Sequence, residues 1–444
     1  MNKLLYLFVL SVILTVGCRR TETATNNAPP LNDQVKSNPT RVSAAETDAA
    51  EPAIAFDANG NLYVVYVAHG ADKTADVYLQ KFDSQRQPFG ERVRVNPNTG
   101  EATAWRGDPP TIALAADKTV YVGWTRNAKT EAGNGRDVCL SVSSDGGKSF
   151  AAPVKVNDDT APASHGMHSL AVGKNGAIYL AWLDERNVKS AHHAQSFAPD
   201  SMNDEFRFVK IHHHSNQTDA PKKVEKHEAS EPNSEVFFAA SNDGGKTFSA
   251  NKKLSSEVCP CCKTALAVAP DGRIYASWRQ VLPGDFRHIA VASSNDAGKT
   301  FAAPTIVSDD RWQINACPVS GAALSIGANN ALKVVWFTGG EAGKIGLYET
   351  ESNDFGATFA ERRLISEGEV SGTPTVSALG GSFEIWWEAN GEIYQSQGAA
   401  NREFSQAKLV AAGNLPAAAV FNGKTFAAFI KKASDKRAVW LAEF

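Results

Sequence analysis

From about residue 40 onward the chain alternates short apolar runs with turn residues, and the same order of pieces recurs. An apolar strand is followed by a turn such as Asp271-Gly272 or Asn175-Gly176, then by a strand that ends in Trp. A variable loop, a third strand, a polar turn and a fourth strand complete the unit. Ile274–Trp278 and Ile178–Trp182 exemplify the second strand, and Val154–Val156 the fourth. Runs this short, rich in β-branched and aromatic residues and bounded by Gly, Asp and Asn, predict strands, and helical periodicity is absent. Four short antiparallel strands in succession predict one blade of an all-β propeller.

First strands fall at Ala53–Phe56, Thr111–Leu114, Ser169–Val172, Ala265–Val268, Ala322–Ser325, Thr375–Ser377 and Ala417–Val420, which predicts seven four-stranded blades, with six as the alternative. The last set supplies three strands, Ala417–Phe421, Thr425–Ile430 and Ala438–Phe444. Thr40–Ser43 resembles the fourth strands Arg92–Val95 and Val154–Val156 yet precedes the first blade. It is expected to close the seventh blade as its outer strand, removing sheet edges that invite aggregation.

Before four of the fourth strands stands one octet: Ser143–Phe150, Ser241–Phe248, Ser294–Phe301 and Ser352–Phe359, each with Ser first, Asp third, Gly fifth and Phe last. Ser and Asp side chains hydrogen-bond the backbone of a tight turn and Gly takes a positive-φ position. Asp145, Asp243, Asp296 and Asp354 are therefore assigned a structural role. The octets resemble Asp-boxes, the bacterial neuraminidase repeats of the sialidase superfamily, over about Thr40–Phe444. That resemblance implies a propeller and, as one reading, an exo-sialidase-like glycoside hydrolase acting on surface or extracellular glycans. Its members are similar to six-bladed propellers, so a count of seven departs from them.

The N-terminus carries an address. Met1–Lys3 is a short positive start, Leu4–Val16 an apolar run shorter than a membrane span, and Thr15–Cys18 resembles a bacterial lipobox. The resemblance implies a signal peptide at 1–17, lipidation of Cys18, a flexible polar tether at 18–39 and the propeller at 40–444; a cleaved secretory signal is the alternative. The expected location is the cell envelope, outer membrane or cell surface. A net charge of −3 and pI near 6.4 argue against a nucleic-acid partner, and a closed ring is expected to be a monomer.

In a four-stranded blade the loops before first strands and between second and third strands share one face, opposite the octets. That face receives His165-Gly-Met-His168, Cys259-Pro-Cys-Cys262, and Arg311–Gly321, which contains Cys317. It also receives an insertion at about 187–233 carrying His192, His193, His212–His214 and His227. Cys259, Cys261, Cys262 and Cys317 with His165, Met167 and His168 form a soft or borderline ligand set suited to copper or zinc. In an exported protein the same cysteines equally suit disulfides, stapling an interaction scaffold, or a redox-active thiol pair. Cys139 is expected to be a buried, inert thiol.

Catalytic candidates stand at the ends of second strands: Arg126, Asp184, Glu185, Arg186, Arg279 and Glu388, with Arg311 from the loop before the fifth blade. They suit an anion or sugar pocket, with Asp184 and Glu185 as proton-transfer groups. Sialidases resembling this family use three arginines on a carboxylate and a Tyr nucleophile paired with Glu. Here the first blade opens Glu51–Phe56 without an Arg-Ile-Pro motif. Tyr348 and Tyr394 lie in third strands, and Arg106-Gly-Asp108 is read as a coincidental tripeptide. A binding module with a Cys/His/Met loop face is the leading functional reading, its ligand a glycan, a protein or a metal.

Overall fold

A computed structural model describes residues 38–130, 133–188, 233–314, 319–399 and 404–444. The expected signal, the expected lipidation site Cys18, Cys317 and the histidines of the insertion lie outside these residues. Twenty-eight strands make seven four-stranded blades. Blade 1 is Asp48–Phe56, Leu62–His69, Ala75–Phe82 and Pro88–Arg94, and blade 2 is Thr111–Leu114, Val120–Thr130, Gly133–Ser143 and Val154–Lys155. Blade 3 is His165–Val172, Ile178–Asp184, Ser234–Ser241 and Lys252–Val258, and blade 4 is Ala265–Val268, Ile274–Leu282, Phe286–Ser294 and Thr305–Ile306. Blade 5 is Ala323–Ile326, Leu332–Thr338, Gly346–Ser352 and Arg363–Glu367, and blade 6 is Ser371–Leu379, Ser382–Ala389, Glu392–Ala399 and Lys408–Ala412. Blade 7 is Asn414–Phe421, Lys424–Ala433, Lys436–Glu443 and the N-terminal Thr40–Arg41.

The closure is specific. Thr40 pairs with Leu441 and Arg41 with Trp440, and the Val42 N–H donates to the Val439 carbonyl at 2.8 Å. Each inner strand packs on the next, and that of blade 7 packs on that of blade 1, so the ring is complete. Second strands are almost wholly buried, whereas the short inner strands such as Thr111–Leu114 and Ala265–Val268 are half-buried.

Between blades the core is aromatic. Trp124, Trp182, Trp278, Trp336 and Trp386 are fully buried, and each indole N–H has a partner: Ser141, Asp184, Gln280, Asp310 and Glu384 respectively. Burying about 200 Å² per indole contributes roughly 5 kcal/mol gross per site. The satisfied N–H avoids the cost of an orphaned donor.

The octets form the turns their composition predicts. Ser143 Oγ donates to Asp145 at 2.7 Å and accepts from Gly147 N at 2.8 Å; Asp145 also accepts from Lys148 N and Ser149 N. The pattern repeats around Asp243, Asp296 and Asp354. Two consecutive positive-φ residues shape each turn, the first being Gly146, Gly244, Ala297 or Phe355. Ala297 and Phe355 show that the turn's side-chain bonds hold even a non-glycine residue in the left-handed region.

Blades 3 and 4 are joined beyond ordinary side-by-side packing. Val258, at the end of the outer strand of blade 3, pairs with Gln280 in the second strand of blade 4, and Cys259 N donates to Arg279 O at 2.9 Å. The two blades become one eight-stranded sheet, and the cysteine loop leaves directly from the weld.

Candidate functional site

The inner strand of blade 3 begins with a β-bulge. His165 faces Asp184 and Gly166 faces Leu183, but pairing resumes only at Ser169 with Ala181, and Met167 has a φ of 53°. Glu51 and Leu415 occupy equivalent interruptions in blades 1 and 7, so the bulge is a repeated feature of inner strands on the loop face. A bulge re-aims side chains. Here it turns His165, Met167 and His168 into the space between blades.

His165 is almost entirely buried. Its Nδ1 donates to the Arg136 carbonyl at 2.6 Å, and its Nε2 lies 3.3 Å from Asp159 and 3.4 Å from Asp184. Burial favours the neutral ring, but hydrogen bonds and charge from Asp159 and Asp184 outweigh it and raise the pKa to about 9. Asp184 is itself held by Trp182 Nε1 at 2.8 Å and by Arg186 Nη2 at 2.8 Å. His168 is buried one residue past the bulge; its Nδ1 lies 2.9 Å from Asp108 Oδ1, and its backbone N–H donates to the same oxygen. Lys263 Nζ reaches Asp108 at 3.6 Å. Burial opposes ionisation of Asp108, yet His168 and Lys263 hold its carboxyl far below the usual range.

Beside these pairs lies a narrow cleft with about 20 Å³ of free space, room for about one water, lined by Trp105, Asp108, Arg136, His165, Met167, Leu183, Glu185 and Pro260, among others. Blades 2, 3 and 4 all contribute. Trp105, Arg136, Asp159 and Lys263 were not singled out from the sequence. The usable signal was position: Trp105 and Asp159 stand in loops before inner strands, Arg136 near the start of a third strand, and Lys263 next to the cysteines.

Tripeptide Arg106–Asp108 turns inward. Arg106 Nη2 lies 3.8 Å from Glu388 of blade 6, while Asp108 is buried with His168. Other catalytic candidates are held apart in local networks. Arg126 pairs with Asp137 and Glu101 on the blade 2 side; Arg186 binds Asp184 and Asp158. Fully buried Arg279 donates to the carbonyls of Ser320 and Phe337 and stacks on Trp312. Glu388 accepts from Asn414 and Leu415 N, and Arg311 is exposed. These arginines do not converge on one carboxylate site. Tyr394 donates to Glu392 at 2.6 Å, and burial followed by that carboxylate pushes its pKa up to about 12, which keeps the phenol protonated. Of the proton-transfer candidates, Glu185 lines the cleft, whereas Asp184 is enclosed.

Cys259, Cys261 and Cys262 cluster behind the cleft with all three sulfurs within 4.8 Å of one another. Of the four cysteines expected as ligands these three come together, and the fourth, Cys317, lies outside the described residues. Cys261 is disulfide-bonded, as the alternative of structural disulfides expects. Cys259 and Cys262 are free and buried, with Sγ atoms 3.4 Å apart, and Arg287 Nη1 donates to Cys259 Sγ at 3.2 Å. Hydrogen bonding with Cys262, against the opposing effect of burial, and the charges of Arg287 and Arg279 lower the Cys259 pKa to about 6. Burial pushes the Cys262 thiol up. His165 and His168 face carboxylates, so among the described candidates the cysteines come together and the histidines do not join them. Cys139 is free and buried, its pKa raised to about 12 by burial.

No family model matches the chain, and no curated protein matches it. Solved structures do. An ulvan lyase of polysaccharide lyase family PL25, bound to -[GlcA(1-4)Rha3S]-, aligns with a TM-score of 0.54 at 11% identity, covering 91% of this chain and 96% of that chain. The polysaccharide lyase Uly1 aligns with a TM-score of 0.51 at 12% identity, covering 89% and 90%. The NanB sialidase of Streptococcus pneumoniae, as its K499G mutant, aligns with a TM-score of 0.45 at 12% identity, covering 86% and 83%. The likeness is one of fold. Glycan-active enzymes are among the proteins that share it.

Proposed function

We propose that this chain is a cell-envelope binding module, lipid-anchored at Cys18, whose ligand is a saccharide docked across the mouth of the narrow cleft between blades 2, 3 and 4. The observation that carries the reading is the composition of the cleft mouth: an indole, Trp105, beside Arg136 and Glu185, with the engaged His165 beneath them. An aromatic face stacks on the C–H surface of a sugar ring, and fixed charged groups hydrogen-bond its hydroxyls. Arg136 and His165 stand in strands, and Trp105 lies between the strands Pro88–Arg94 and Thr111–Leu114, which preorganises these groups. The propeller also serves polysaccharide lyases as a scaffold. Copper or zinc is less well supported. Cys259 and Cys262 remain as thiol ligands, and the guanidinium on Cys259 opposes a cation.

Calorimetry of the full chain in detergent against a panel of neutral and acidic oligosaccharides tests the reading. Trp105→Ala is expected to weaken binding about five- to thirtyfold, as lost stacking of about 1–2 kcal/mol requires. Glu185→Gln should alter selectivity among hydroxyl patterns. Absence of binding across the panel, or unchanged affinity in Trp105→Ala, overturns it. Turnover of a fluorogenic sialoside, abolished by Glu185→Gln, would replace the binding module with a hydrolase.

A further inference from the structure

Cys259 and Cys262 have the C-x-x-C spacing of a dithiol, and their sulfurs are already within 3.4 Å. A disulfide requires about 2.05 Å, so roughly 1.3 Å of movement within one tight loop closes the bond. Arg287 Nη1, 3.2 Å from Cys259 Sγ, selects that sulfur as the anionic partner. Cys261, between them in sequence, is already in a disulfide, its Sγ 3.7 Å from Cys259 Sγ, so the free thiols available for a new bond are Cys259 and Cys262. The pair lies just beneath the cleft. Pro260 lines the opening, and Trp105, Met167 and Leu183, which also line it, pack in one apolar cluster with the three cysteines.

We propose that Cys259 and Cys262 form a hydroperoxide-reactive dithiol, a modification site that closes to a disulfide under the cleft. The Cys259 thiolate attacks one oxygen of the hydroperoxide; the O–O bond breaks, and the departing oxygen takes a proton to leave as water or an alcohol. Cys259 becomes a sulfenic acid, oxidised by two electrons. Cys262 then attacks Cys259 Sγ and gives up its proton, the S–O bond breaks, and a second molecule of water leaves. With hydrogen peroxide, two thiols and one peroxide yield one disulfide and two waters. Access decides the oxidant. Both sulfurs are wholly buried, so access is restricted to an oxidant little larger than water, and a bulky disulfide such as oxidised glutathione is held out. Closure pulls on Pro260 and removes the anion facing Arg287, so oxidation is felt in the cleft wall. This inference is independent of the saccharide reading.

The test uses the full chain, purified without a metal-affinity tag, and counts thiols alkylated after denaturation. Stoichiometric hydrogen peroxide should lower the count by two, with mass spectrometry placing the new bond between Cys259 and Cys262. Glutathione disulfide should act at least about tenfold more slowly. Cys262→Ser should stop at a sulfenic acid trapped by dimedone on Cys259, and Arg287→Gln should slow oxidation by about tenfold while keeping both sulfurs. An unchanged count in excess peroxide overturns the proposal. So does equal reactivity toward glutathione disulfide, or purified protein carrying stoichiometric copper or zinc on these thiols.

Discussion

Replacing His165 with Gln isolates one ion-pair cluster and gives it a pH signature. His165 carries a proton in the folded protein up to about pH 9, against an ordinary value of 6.5. A difference of that size corresponds to roughly 3 kcal/mol of folding free energy, at about 1.4 kcal/mol per pH unit. The imidazole is almost fully buried, so solvent screening removes little of it. Because the folded pKa is raised, the contribution is complete below about pH 6.5 and disappears as pH rises through 9. Asp159 and Asp184, whose carboxyls are held low by the same imidazole, are the other side of this interaction and are counted once. Their side of it fails only in acid, as pH falls through their depressed folded values. A propeller of roughly 400 residues unfolds with an entropy of about 0.8 kcal/mol/K, so the loss amounts to about 4 °C in Tm. Thermal melts between pH 6 and pH 9.5 should show the wild type losing about 4 °C more than His165→Gln, whose amide retains the contact with the Arg136 carbonyl. Parallel curves for the two proteins would refute the assignment of a protonated His165.

Other expectations concern the ring itself. Val42→Asp places a carboxylate in the closing strand, where Val42 is fully buried, and should cost about 3–5 kcal/mol in urea denaturation; a loss below 1 kcal/mol would mean that the N-terminal strand is dispensable. Lys333, fully buried, bridges Glu349 at 2.7 Å and Glu351 at 3.1 Å, so Lys333→Met strands Glu351, leaves Glu349 with Arg363 as its remaining cation, and should cost about 3 kcal/mol. Pairing it with Glu349→Gln should recover part of that loss, and strict additivity of the two changes would argue against the contact.

The architecture was legible because its determinants are local. Each octet closes through bonds between residues two to four apart, such as Ser241 Oγ to Asp243 and Thr247 N to Asp243. Predicted inner strands Thr111–Leu114 and Ala265–Val268 coincide with the observed ones, and Thr40–Arg41 closes blade 7. The site was legible only by address. Topology named the rim that receives His165, His168 and the cysteines, but not which partner each would find. His168 bonds to Asp108 sixty residues away, and Thr264 bonds to the Met167 carbonyl across ninety-seven. Asp108 was hidden inside a tripeptide read as coincidence. Whether a cysteine is a thiol or half of a disulfide depends on such distant partners, so spacing alone left that choice open.

This division has a physical consequence for the site. Alongside the His165–Asp184 contact within blade 3, several polar contacts that shape the cleft join different blades or the loops between them: Asp108 to His168 and Lys263, Asp159 to His165, and Arg106 to Glu388 on the far side of the ring. None of these is supplied by the turn that builds a blade. Each depends on neighbouring blades holding their angular positions, which the Val42 closure and the weld at Val258–Gln280 enforce. Loosening the ring at blade 7 is therefore expected to disorganise the cleft before any blade melts. In partial denaturant, binding would then fall at a lower urea concentration than the β-sheet circular dichroism signal, and coincident transitions would show that ring and site unfold as one unit.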